Sequence, residues 1–209
     1  MTAYEDYLML LSPPDAVKQE IARYKKASAR LIGDYQSMDS PAHISILHLE
    51  RQKPFMADRN IDLIEKSLNA LPAVLLHIDG FRYFSHLHNR MTIYAHIRST
   101  PAVEEWFKRL KKSLNIKKAL VPHITVTRNI PGEDFTLLWP HFQHKKLVEP
   151  FWVKELKIVK RETFAEAPKW QSFKVFEFKN VAGLGNRANV PLDKPAQTDM
   201  PPVNQIDLF

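Results

Sequence analysis

Pro41-Ala42-His43-Ile44-Ser45-Ile46 and Val121-Pro122-His123-Ile124-Thr125-Val126 are two copies of one pattern: histidine, apolar residue, hydroxyl residue, apolar residue, shortly after a proline. Both runs alternate and are rich in β-branched residues, so each reads as a strand. A strand turns successive side chains to opposite faces, which puts His43 and Ser45 on one face and Ile44 and Ile46 on the other. His123 and Thr125 stand against Ile124 and Val126 in the same way. Each strand thus sinks two apolar residues into a core and presents an imidazole beside a hydroxyl. One such pair alone is a common structural feature. Its duplication at matching places in two similar halves points to convergence on one cleft across a pseudo-twofold axis.

The flanking segments supply the rest of the fold. Tyr4 to Leu11 reads as a short buried strand ended by Ser12-Pro13-Pro14. Asp15 is placed to cap a helix running to about Ile32, with Val17, Ile21, Tyr24 and Leu31 near one face. After the first histidine strand (His43 to Leu49), Asp58 is expected to open a second helix carrying Ile61, Ile64, Leu68 and Leu71, which Pro72 ends. Ala73 to Phe84 and Met91 to Ile97 read as two strands around the polar connection Ser85 to Arg90. Thr100-Pro101 starts a third helix with Val103, Trp106, Phe107, Leu110 and Leu114 as its stripe. The second histidine strand (His123 to Thr127) follows, then a further helix and strands at Phe151 to Val159 and Phe173 to Phe178. The order β-α-β-α-β-β-α-β-α-β-β is an α+β arrangement of mostly antiparallel sheets with helices packed outside. This domain is expected over residues 1–180. Residues 181–209 carry Gly183, Gly185, Pro191, Pro195, Pro201 and Pro202 without periodicity and read as an extended tail.

Composition narrows the chemistry. The 209 residues contain no cysteine, which excludes a disulfide framework, a thiolate nucleophile, an iron–sulfur cluster and cysteine-ligated zinc. The acidic N-terminus and its brief apolar run do not resemble a signal peptide, and no window approaches a membrane span. A cytoplasmic monomer is expected. Thirty basic against 23 acidic residues give a net charge of +7, a sign that favours an anionic partner. The basic residues gather in two segments, Lys18, Arg23, Lys25, Lys26 and Arg30, and Lys108, Arg109, Lys111, Lys112, Lys117 and Lys118. These read equally as solvated helix faces or as a surface that attracts phosphate.

Two imidazoles facing one another suit phosphoryl chemistry. One can start neutral as a base and the other protonated as an acid, on opposite sides of a phosphorus atom. Ser45 and Thr125 can donate to the non-bridging oxygens where charge builds. The scheme requires neither metal nor cofactor. No Gly-x-Ser-x-Gly elbow is present to support a serine hydrolase. His86 and His88 lie in a polar connection without a nearby carboxylate and read as a solvated rim. His141 and His144 read as surface residues, and His48, His77 and His96 lack a hydroxyl two residues later.

These two motifs resemble the signature of the 2H phosphoesterase superfamily, nearest its 2′,5′ RNA ligase-like (RNA 2′,3′-cyclic phosphodiesterase) branch. The resemblance covers about residues 1–180 and includes the opening strand with its Pro-Pro turn. It also includes Ile78-Asp79-Gly80-Phe81-Arg82-Tyr83-Phe84, similar to that family's Gly-aromatic strand, and His123-Ile124-Thr125-Val126-Thr127-Arg128, similar to its second motif with a trailing arginine. It implies a bilobal fold with a central groove, and metal-independent hydrolysis of 2′,3′-cyclic phosphate ends of RNA or small nucleotides to a 2′-phosphate. Joining or cleaving 2′,5′ linkages is the alternative. His43, Ser45, His123 and Thr125 carry over as the catalytic set, with His43 as acid and His123 as base. Arg128 falls on the wrong face for phosphate unless the strand ends or bulges. Phe84 and Tyr83 suit either core packing or stacking on a base.

A binding module that keeps the groove without turnover is the rival from another class. A further one comes from Gln205-Ile206-Asp207-Leu208-Phe209, which resembles the peptide by which bacterial proteins dock on the DNA sliding clamp. The simpler alternative packs Ile206, Leu208 and Phe209 back on their own domain.

Overall fold

In Glu5–Leu11 (β1), alternation buries Tyr7, Met9 and Leu11 and seats the strand inside an antiparallel sheet. The computed structural model describes residues 4–179; the tail and its terminal pentapeptide lie outside them. After β1 come α1 (Asp15–Ile32), β2 (Ile44–Gln52), α2 (Pro54–Asn69), β3 (Val74–His86), β4 (Arg90–Ile97) and α3 (Pro101–Ser113). The chain continues through β5 (His123–Pro131), α4 (Gly132–Phe142), β6 (Val148–Val153), β7 (Glu155–Glu162) and β8 (Gln171–Glu177). Two four-stranded antiparallel sheets result, ordered β2-β1-β7-β8 and β5-β4-β3-β6. The successions β1-α1-β2-α2 and β4-α3-β5-α4 repeat one topology, and each histidine strand is the edge of its sheet. This is the expected α+β fold. No helix among the described residues is long and apolar enough to cross a membrane.

Three boundaries differ from expectation for identifiable reasons. Asp15 is the first helical residue and not the cap; Pro14 precedes it without a side-chain cap, and the Asp15 carboxylate accepts from Lys18. An acid in the first turn still favours the helix N-terminus. α2 begins at Pro54, because proline suits a position whose N–H would have no helical partner. Asp58 instead accepts a 2.8 Å bond from the Tyr7 hydroxyl. The expected strand Phe151 to Val159 is two strands in different sheets. Its buried residues change phase, from Phe151 and Val153 to Leu156 and Ile158, and Lys154 at the change carries the chain across. The cap at Thr100 forms as the sequence suggests, its Oγ1 accepting from the Val103 N–H.

The halves share one core because α1 crosses from one to the other and α3 bridges to α2. α1 leaves the first sheet and packs on β5 and α4 of the second half, where Tyr24 meets Phe81 and Phe142. α3, from the second half, packs on α2, and Trp106 touches Phe178 beyond the end of β8.

On the other face of β1, Asp6 is almost fully buried and accepts from the Arg51 N–H, Thr163 Oγ1 and Arg161 Nε at 2.8–3.0 Å. Burial pushes its carboxyl up, but the three donors and the guanidinium charge outweigh this and hold it below the ordinary value. A carboxyl with a lowered folded-state pKa stabilises above the unfolded value and loses that contribution as pH falls through its own. Asp6→Asn is therefore expected to cost about 1–3 kcal/mol near neutral pH in urea denaturation. The gap from wild type should begin to narrow below roughly pH 4, as the unfolded-state carboxyl takes up its proton, and close as pH falls through the lower value of native Asp6.

Candidate active site

The two motif strands meet where the sheets abut, β2 packing against β5. Each carries an irregularity at the same motif position. Met9 lies opposite Leu47 and Leu10 opposite Ser45, leaving Ile46 without a partner across β1. Ile93 lies opposite Thr127 and Tyr94 opposite Thr125, leaving Val126 unpartnered across β4. A bulge adds one residue to one strand and so reverses the facing of everything after it. In β5 it buries Val126 and Thr127 in succession and returns Arg128 to the exposed side shared with His123. Without the bulge, strand parity would send Arg128 to the core.

The imidazoles are held alike. His43 Nδ1 lies 2.8 Å from the Pro41 carbonyl, and His123 Nδ1 lies 2.7 Å from the Val121 carbonyl. A carbonyl only accepts, so Nδ1 carries the proton in each ring and a neutral imidazole keeps Nε2 as a free base. Burial pulls both histidines below their ordinary value, against the raising effect of these carbonyls. Arg128 pushes both further down, and Lys25 and His123 act on His43. One guanidinium is thus within electrostatic reach of two imidazoles from different sheets. Ser45 is exposed and Thr125 half-buried. Arg128 also lines a polar cleft of about 330 Å³ with Arg90, Asn129, Tyr35 and Asp134.

The aromatic pair named from sequence is divided. Phe84 stacks on Tyr94 with centroids 4.2 Å apart, and both rings meet His123 edge-on at 5.1 Å. Tyr83 faces the other way and packs on Phe135 and Trp139 of α4 at 4.9 and 5.0 Å, which removes it from the histidine face. Adjacent strand residues cannot share a face, so only one of the two could stand beside the site. His86 lies at the end of β3, its Nε2 2.8 Å from Thr92 Oγ1.

Two residues of the site escape a reading of the sequence. Tyr94 stands on the neighbouring strand without a motif, and only the pairing of β4 with β5 brings it opposite Thr125. Lys25 belongs to a segment that reads as a solvated or phosphate-attracting surface but is buried in α1. Its spacing is the available signal: 17, 21, 25 and 28 form the helix's inner stripe.

A crystal structure of TT0787 from Thermus thermophilus matches with a TM-score of 0.60 at 14% identity, covering 84% of this chain and 99% of that one. Escherichia coli LigT complexed with phosphate matches with a TM-score of 0.56 at 13% identity, covering 84% of this chain and 98% of that one. The structure of LigT complexed with 3′-AMP gives the same score, identity and coverage. At such identities the likeness shows a common fold. No match was found among curated protein sequences. The family match is more direct: residues 13–163, which include both histidine motifs and the arginine after the second, match the 2′-5′ RNA ligase superfamily. With the fold and the paired histidine strands in agreement, the chain belongs to the 2′-5′ RNA ligase superfamily of 2H phosphoesterases.

Proposed function

We propose that this protein is a metal-independent phosphodiesterase that opens 2′,3′-cyclic phosphate ends of RNA or small nucleotides to the 2′-phosphate. The observation that carries the reading is the matched pair of Nδ1–carbonyl bonds, which leaves an Nε2 on each histidine for proton transfer. His123 Nε2 takes a proton from water as the water oxygen bonds to phosphorus. The bond from phosphorus to the 3′ oxygen breaks, and His43, protonated on Nε2, gives that oxygen its proton. Ser45, Thr125 and Arg128 hold the non-bridging oxygens as charge gathers there. LigT has been solved with phosphate and with 3′-AMP, ligands of the class this scheme would bind. The same displacement with a 5′ hydroxyl in place of water would join a 2′,5′ linkage, and its reversal, in which the 3′ oxygen attacks and the 5′ oxygen leaves, would cleave one; a substrate panel separates this alternative activity.

Hydrolysis of a cyclic-phosphate-ended oligonucleotide in excess EDTA tests the reading. Turnover should persist and fall roughly 10²–10⁴-fold in His43→Ala and in His123→Ala. NMR of the product should place the phosphate on the 2′ oxygen. A folded wild type that binds RNA without turnover would support a binding module instead.

Because both histidines titrate below their ordinary value of 6.5, the bell of kcat/KM against pH should centre on the acid side of it. Arg128→Met removes a cation from both, so both histidine midpoints should rise in an NMR titration. Loss of a charged hydrogen bond to substrate should also lower kcat/KM about 10- to 100-fold.

For the tail we propose docking on a DNA sliding clamp through Gln205, Ile206, Asp207, Leu208 and Phe209. Deleting those five residues should abolish clamp binding in calorimetry and leave hydrolysis unchanged. Retained clamp binding would overturn it.

A further inference from the structure

We propose that Lys25 is a positioning residue of this site: from the inner face of α1 its ammonium clamps the Ser37–Ser40 turn and thereby fixes the two histidine strands against one another. The catalytic part of this inference rests on the two-histidine reading above.

Lys25 is 3% exposed, and its Nζ donates to the Ser37 and Ser40 carbonyls at 2.7 and 2.8 Å. Among the described residues no carboxylate lies within ion-pair distance of it. Asp39, in the clamped turn, is the acidic neighbour that favours its charge. A buried ammonium without a paired anion is destabilising, and an apolar side chain would fill the space without that penalty. The clamped turn reaches both motifs. Ser40 directly precedes Pro41, whose carbonyl holds His43 Nδ1. The Ser37 hydroxyl donates to the carbonyl of Val126, the bulged residue of β5, at 3.4 Å. The Tyr35 hydroxyl returns to the helix by donating to the Lys25 carbonyl at 3.0 Å. One side chain thus ties the stem of the first motif to the bulge of the second.

Its charge has a second effect. Lys25 faces His43 together with Arg128 and His123, and all three disfavour the imidazolium. A histidine proton held against the two standing cations Lys25 and Arg128, and against His123 once that ring has taken its proton, is given up more readily, which suits the donor role assigned to His43. Burial pulls Lys25 itself down to about 8, so this influence weakens just above neutrality.

The test uses Lys25→Met and Ser37→Ala in the full chain, read by histidine NMR titration without substrate and by cyclic-phosphate hydrolysis. In Lys25→Met the His43 midpoint should rise while that of His123 moves little, and kcat should fall at least tenfold with a smaller change in KM. Ser37→Ala keeps the ammonium, so kcat should fall with the His43 midpoint unmoved. A folded Lys25→Met with an unmoved His43 midpoint and wild-type kcat overturns the proposal. Should Lys25→Met not fold, Lys25→Gln takes its place under the same criteria, and wild-type kcat in Ser37→Ala then overturns the strut. If the wild type hydrolyses no cyclic phosphate, the two-histidine reading fails on its own. The titration still decides Lys25: a moved His43 midpoint upholds its placement, and an unmoved one overturns it.

Discussion

A backbone carbonyl can only accept a hydrogen bond, and the whole site depends on that. At His43 and at His123 the carbonyl two residues earlier fixes the proton on Nδ1 and reserves Nε2 for chemistry. The partner is part of the same short segment as the ring, so the tautomer does not depend on a distant side chain. What must come from elsewhere is the placement of one such segment against the other. The interlocked helices supply it: α1 starts in one half and packs in the other, so the sheets cannot slide apart without opening the core.

The irregularities in the motif strands belong to the same design. An unbroken strand would expose histidine and hydroxyl but bury the residue three places beyond the hydroxyl. The bulge at Val126 reverses the facing and delivers Arg128, so one cation acts on both imidazoles. Since the matching irregularity falls at Ile46, the likeness of the halves extends from sequence to backbone geometry.

Much of this is legible in the sequence. His-x-Ser and His-x-Thr on alternating runs locate both strands, because period-two patterning is a local property of the chain. The cap at Thr100 is equally local. Sequence reading fails where the deciding partner is remote. Tyr83 and Phe84 look alike in sequence, but strand facing and α4 give one to a surface cluster with Phe135 and Trp139 and the other to His123. Asp58 has the chemistry of a helix cap, yet Tyr7, far away in the chain, claims its carboxylate. The break at Lys154 is visible as a change of phase in the apolar residues, although the run as a whole reads as a single strand. Lys25 sits on an apolar stripe, and its charge conceals its position.

The course of the chain also bears on its biogenesis. β1 leaves the ribosome long before β7 and lies inside its sheet, where β7 covers one of its edges. Until β7 is made, that edge offers unpaired N–H and C=O groups beside a buried-type apolar face, the usual template for wrong pairing. The crossing of α1 adds to the delay, because it has no complete surface to rest on before β5 and α4 arrive. Neither half is then expected to be an independent folding unit during synthesis. Long-range closure sets the pace, and the nascent chain passes through a window in which a holding chaperone has something to grip.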